Sequence, residues 1–111
     1  ATQIVFQKKL APGAIAPEEF VALQQAGDSV LIIDVRTDQE VASGLISGAR
    51  HIPLEKLEDV TSELSGDKEV LIYCANGIRA EMAHQTLNAK GIENRFLNET
   101  VTIAKDGSYK F

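Results

Sequence analysis

Two short, unbroken apolar runs constrain this chain more than any other feature. One spans Val30 to Ile33 and ends in Asp34; the other spans Val70 to Tyr73 and ends in Cys74. Runs of this length suit strands covered on both faces, as in a parallel sheet. Helix signals stand around them. In "APEEFVALQQAGD", Pro17 suits the first helical position, Glu18 and Glu19 favour the positive end, Phe20 and Leu23 share a face, and Gly27 is a stop. Thr37 and Glu40 match a capping box that opens a short helix to about Ser43, closed by Gly44. Pro53 pushes His51 and Ile52 toward an extended conformation, so "ARHIPL" reads as a short strand. "EKLEDVTSEL" predicts a helix through Leu57, Val60 and Leu64. "RAEMAHQTLNAKG" predicts another, with Ala80, Ala83 and Leu87 on one face and Gly91 past its end, and "NRFLN" reads as a third strand. Alternating short strands and helices argue for an α/β domain with a mainly parallel sheet. At the ends, "TQIVFQ" and "TVTIAKDGSYKF" read as further strands and are candidates to pair with each other. Asp106-Gly107 is a hairpin turn signal between Val101/Ile103 and Tyr109/Phe111.

A chain of 111 residues is the size of one ordinary domain, expected to span 1–111. The formal net charge of -5 argues against nucleic-acid or membrane-surface binding, which need a basic patch, though it leaves room for a local positive pocket. No apolar run approaches the ~20 residues that cross a bilayer. The single cysteine excludes an internal disulfide and a thiolate metal cluster, and gives no compartment signal. The chain begins at Ala1 without a methionine, which fits removal of a signal peptide, pro-segment or tag and leaves cytoplasm and periplasm open.

Cys74 falls where a strand ends and a helix is about to begin, the side of a parallel sheet on which ligands bind. Ala75, Asn76, Gly77 and Ile78 separate it from Arg79. A loop of this kind can curl its N–H groups inward into an anion-binding nest, reinforced by the positive end of the next helix. Gly77 permits the tight curl and Arg79 adds a forked cationic donor. Both favour a nucleophilic thiolate acting on an anionic substrate. A lone cysteine is usually a small buried apolar residue. The order strand, Cys, loop, Arg, helix favours the nucleophile instead, without naming a reaction.

These residues resemble the rhodanese family of single-domain sulfurtransferases. "LIIDVRTDQEVASGLISGARHIPL", Leu31 to Leu54, is similar to that family's strand, Asp-Val-Arg, a Glu four residues on, and a following Gly-His-Ile-Pro-Gly-Ala-x-x-Ile-Pro. "VLIYCANGIRA" is similar to its active-site strand and loop, and the likeness runs from about Ile15 to Leu97. The resemblance implies a three-layer α/β fold with a central, mainly parallel sheet flanked by helices, its core at about 15–97. It implies that Cys74 accepts a sulfane sulfur as a persulfide, held by the N–H groups of Ala75, Asn76, Gly77, Ile78 and Arg79, with Arg79 recognising thiosulfate or polysulfide. Asp34 and Arg36 would brace the loop, and Glu40 would pair with Arg36. It implies no cofactor and no metal. The partners would be a small anionic sulfur donor and an acceptor that is cyanide, a thiol or a protein cysteine. Leu45 and Ser47 stand where the family has His and Pro. After Leu97 a polar, strand-like tail, 98–111, replaces the family's Gly-Gly and aromatic-rich helix, which puts a C-terminal helix in doubt.

His51 and His84 lack a second metal ligand at useful spacing and read as structural or surface residues. Two rivals remain. A tyrosine-phosphatase-like site has five residues between Cys and Arg where this chain has four, and arsenate reduction stands beside it. A non-catalytic interaction or sulfide-sensing module is the other.

Overall fold

The computed structural model describes residues 10–64 and 66–111. The elements follow in the order β1 (Ala14–Ile15), α1 (Pro17–Ala26), β2 (Val30–Asp34), α2 (Asp38–Val41), β3 (Arg50–His51), a 3₁₀ segment (Leu54–Glu63), β4 (Glu69–Tyr73), α3 (Ile78–Ala89), β5 (Asn94–Leu97), β6 (Thr102–Ile103) and β7 (Tyr109–Lys110). The first five strands form one sheet in the order β1-β5-β4-β2-β3, every neighbouring pair parallel. The two apolar runs are thus the adjacent central strands, with Val30 opposite Glu69 and Asp34 opposite Tyr73.

Strand alternation sorts the side chains into two layers. Val70, Ile72 and Cys74 point to the face covered by α3 and the 3₁₀ segment, where they meet Ala80, Ala83, Leu87 and Leu57. Leu71 and Tyr73 point to the face covered by α1, where they meet Phe20 and Ile46. Helices on both faces of a parallel sheet are the expected three-layer architecture.

Two expectations need adjustment, and one strand was not foreseen. The segment from Leu54 to Glu63 is 3₁₀ rather than α-helical. Leu54, Leu57 and Val60 recur every third residue, the repeat of a 3₁₀ turn, and all three pack into the α3-side layer. The capping box on α2 forms in full, but the helix ends at Val41 rather than near Ser43. β1 is a strand of two residues that carries no readable pattern; it pairs with β5 through Ala14–Phe96 and Ile15–Leu97. The segment "TQIVFQ" lies outside the described residues.

The tail after Leu97 is an antiparallel hairpin of β6 and β7, with Ile103 opposite Tyr109. The Asp106-Gly107 signal marks its turn, closed by an Ala104 N–H bond to the Ser108 carbonyl at 2.8 Å. It packs on the α1 side, where Phe20 meets the rings of Tyr109 and Phe111 edge-on at 5.9 and 6.5 Å. Two backbone bonds tie it to the body: Ser47 N–H to the Gly107 carbonyl at 3.1 Å, and Val101 N–H to the Ala75 carbonyl at 2.9 Å. The second of these reaches the loop after Cys74.

Candidate active site

β4 delivers Cys74 to the C-terminal edge of the sheet, between the carboxyl ends of β2 and β5. The residue is 1% exposed. Its Sγ accepts the Gly77 N–H at 3.0 Å and the Ala80 N–H at 3.4 Å. The helix explains both bonds. Gly77 is the N-cap of α3 and has no side chain with which to cap it. The first N–H groups of a helix need an outside acceptor. The Cys74 sulfur takes that place, so negative charge on it meets the positive end of the helix. Asn76 closes another open donor: its Oδ1 accepts the Ile78 N–H at 3.2 Å and lies 4.0 Å from Sγ. Gly77 has φ 96°, and a Cβ there would lie 2.7 Å from Asn98 Oδ1 and 3.0 Å from Asn98 Cα. The end of β5 therefore presses on the loop from behind.

Asp34 and Arg36 form a buried pair beneath this edge. Arg36 donates from Nε and Nη2 to the Asp34 carboxylate at 2.8–3.1 Å, and from Nη2 to the Gly44 carbonyl at 2.6 Å. Burial opposes the charge on Arg36, but the Asp34 carboxylate outweighs it and the guanidinium is held above its ordinary range. Tyr73 completes the platform. Its hydroxyl accepts the Ile46 N–H at 3.0 Å and its ring lies 6.0 Å from the Arg36 guanidinium. Burial pushes its phenol well up, and the neighbouring Asp34 adds to the effect. The bracing by Asp34 and Arg36 thus runs to segment 44–46 and to the residue before Cys74, rather than directly to residues 75–79.

Glu40 does not pair with Arg36. The Arg36 fork is filled by Asp34 and Gly44, and Glu40 turns instead to Arg79, the other arginine near the site. Arg79 donates from Nη1 and Nη2 to its two carboxylate oxygens at 2.6 and 2.9 Å. The Thr37 N–H and hydroxyl donate to the same carboxylate, each at 3.1 Å. The Arg79 bonds hold the Glu40 carboxyl down to about 2, with burial opposing and Thr37 assisting. In return, Glu40 raises the Arg79 guanidinium above its ordinary range. Arg79, expected at the end of the loop, is the second residue of α3 and a strut between two helix starts.

The two histidines hold structural bonds. His51 Nε2 lies 2.7 Å from the Arg36 carbonyl, and His84 Nδ1 lies 2.7 Å from Asn94 Oδ1. Four residues take roles in the site outside the sequence expectations: Ala80, whose N–H reaches Sγ where the cradle was expected to end at Arg79, Asn98 behind Gly77, Val101 on the Ala75 carbonyl, and Gly44 under Arg36. The only signal available for Asn98 was its place at the carboxyl end of a strand.

A family model described as Rhodanese-like domain matches residues 16–109, through the hairpin. The chain is 38% identical over 87 residues to the uncharacterized protein YqhL of Bacillus subtilis, covering 78% of this chain and 66% of that one. It is 37% identical over 71 residues to a sulfurtransferase of Allochromatium vinosum, covering 64% of this chain and 65% of the relative. The chain therefore spans somewhat under two thirds of the length of these curated relatives. The crystal structure of a rhodanese-like domain protein from Staphylococcus aureus matches with a TM-score of 0.68 at 30% identity, covering 75% of this chain and 81% of that one. Matched by the family model over most of its length and by a solved relative over three quarters of it, the chain belongs to the rhodanese-like domain family.

Proposed function

We propose that the protein is a sulfurtransferase that carries a sulfane sulfur as a persulfide on Cys74. The observation that supports this best is the sulfur's position as the acceptor for two N–H groups at the start of α3. Those donors favour negative charge on Sγ and on a second sulfur bonded to it. The Cys74 thiolate attacks the terminal sulfur of thiosulfate, the new S–S bond forms, and the donor's S–S bond breaks with its electron pair leaving on sulfite. With a polysulfide or an organic persulfide the leaving group is the shorter polysulfide or the thiolate. The acceptor, which is cyanide, a small thiol or a protein cysteine, then attacks the outer sulfur, and the Cys74 thiolate leaves. Cys74 is 1% exposed, so the reacting end of either partner must be slim, as a terminal sulfur or cyanide is.

The N–H groups of Gly77 and Ala80 hold the transferred sulfur, with Asn76 shaping the loop by taking the Ile78 N–H. Asp34 and Arg36 keep the strand end and segment 44–46 in register. A phosphatase reading fares worse. A phosphoryl dianion needs an uncommitted cation over the loop, and Arg79 is bonded at both Nη atoms to Glu40. A non-catalytic sulfide-sensing or interaction module is the second reading, favoured by the low exposure of Cys74. Steady-state assays with thiosulfate and polysulfide as donors, and cyanide, glutathione and dithiothreitol as acceptors, separate the two. Turnover with at least one pair, lost in Cys74→Ser, is the expected result. No turnover with any pair in the native protein would favour the module.

A further inference from the structure

The cation expected to receive the donor is already taken. Arg79 is held end-on by Glu40 through both Nη atoms, and Glu40 is fixed in turn by Thr37. Both side chains are about one-third exposed, 30% for Arg79 and 33% for Glu40, so the pair lies at the surface beside the loop. It contributes no net charge there. If a thiosulfate sulfonate takes Arg79, the Glu40 carboxylate is stranded next to a dianion, and like charges at that range repel. A donor of low charge brings no second anion beside Glu40 and needs no cation from Arg79, since the Gly77 and Ala80 N–H groups already stabilise charge on the Cys74 sulfur that attacks it.

We infer that Glu40 is a specificity-determining residue: by sequestering Arg79 it disfavours dianionic donors and leaves Cys74 selective for low-charge organic persulfides, R–S–SH. This rests on the sulfurtransferase reading. In the favoured reaction the Cys74 thiolate bonds to the terminal sulfur of R–S–SH, the R–S bond to that sulfur breaks, and the electron pair leaves as R–S⁻. The proton stays on the new persulfide.

Glu40→Gln is the informative variant. Glutamine retains the oxygen that caps Thr37, as in a capping box with Gln at its third position, but removes the charge that holds Arg79. The first readout needs no sulfur transfer. Iodoacetate and iodoacetamide alkylate the same thiolate, so the ratio of their rates reports the charge at the mouth alone. Glu40→Gln should raise the iodoacetate-to-iodoacetamide ratio by about 3- to 5-fold, the upper end of the scale of one partly exposed charge pair. Arg79→Gln, which leaves Glu40 unpaired, should lower it below the native value. The second readout compares donors. Glu40→Gln should raise kcat/KM for thiosulfate by about 3- to 5-fold, while the value for 2-hydroxyethyl persulfide changes less than about twofold. An alkylation ratio unchanged in both variants would overturn the inference, as would equal changes for the two donors. A shifted alkylation ratio with no sulfur loaded from either donor would uphold the masking of Arg79 and defeat the sulfurtransferase reading instead.

Discussion

Replacing Gly77 by alanine tests the loop geometry that closes on the sulfur. Two costs follow from the structure. Gly77 sits at φ 96°, where an L-residue is strained by roughly 1–2 kcal/mol. The new Cβ would also lie 2.7 Å from Asn98 Oδ1 and 3.0 Å from Asn98 Cα. The oxygen can swing aside, but the Cα belongs to the backbone at the end of β5, so either the loop or the strand end must move. Such overpacking adds about 1–3 kcal/mol, for a total of roughly 2–5 kcal/mol. Gly27 supplies the control. It has φ 80°, but a methyl group there would meet nothing within 4 Å, so Gly27→Ala carries the conformational cost alone. Urea denaturation of the two variants gives the difference, which should be at least about 1 kcal/mol against Gly77→Ala. Because the Gly77 N–H is the shorter of the two bonds to Sγ, loop displacement should also slow sulfur loading by about 10-fold or more. Equal stability of the two alanine variants, with loading at the native rate, would refute the reasoning that β5 holds the loop closed on the sulfur.

Two further outcomes follow. Asp34→Ala leaves the Arg36 guanidinium buried without its carboxylate, and should cost about 3–5 kcal/mol in chemical denaturation, well above the average surface substitution. The Glu40 carboxyl is held at about 2 from an ordinary 4.5, so its contribution is present above pH 4.5 and is lost as pH falls through about 2. With both partners about one-third exposed it amounts to at most ~1 kcal/mol. The stability gap between native protein and Glu40→Gln should therefore persist at pH 5 and close near pH 2; a gap that closes by pH 4 would show that Arg79 does not hold the carboxylate.

The central strands were legible because their apolar runs are buried on both faces, and α3 because Ala80, Ala83 and Leu87 repeat at helical spacing beneath it. The strand-to-loop position of Cys74 was legible for the same reason, since it continues the alternation of Val70 and Ile72. β1 was not, because two residues hold no period. The 3₁₀ segment reads as α-helix because Leu57, Val60 and Leu64 follow the three-and-four spacing of an α-helix, while the three-residue repeat of Leu54, Leu57 and Val60 shares two of those positions. The hairpin turn announced itself through Asp106-Gly107, but its docking did not: that depends on Phe20 presenting a ring edge to Tyr109 and on Gly44 admitting the Ala104 carbonyl, which would lie 2.5 Å from a Cβ. The partner of Glu40 was misjudged for an instructive reason. Two arginines lie within reach of α2, and which one is available depends on whether the other is already satisfied. The Gly44 carbonyl that helps fill the Arg36 fork is a tertiary contact, invisible to any spacing rule.

The most direct measurement is intact-protein mass spectrometry after brief incubation with thiosulfate or an organic persulfide, without acceptor. The chain has one cysteine, so the site of a sulfur adduct is unambiguous. The expected result is a gain of one sulfur atom on the native protein, removed by cyanide with release of thiocyanate, and no gain on Cys74→Ser. A native protein that gains no sulfur from either donor, or a Cys74→Ser variant that gains it equally, would contradict the claim that Cys74 carries the transferred sulfur.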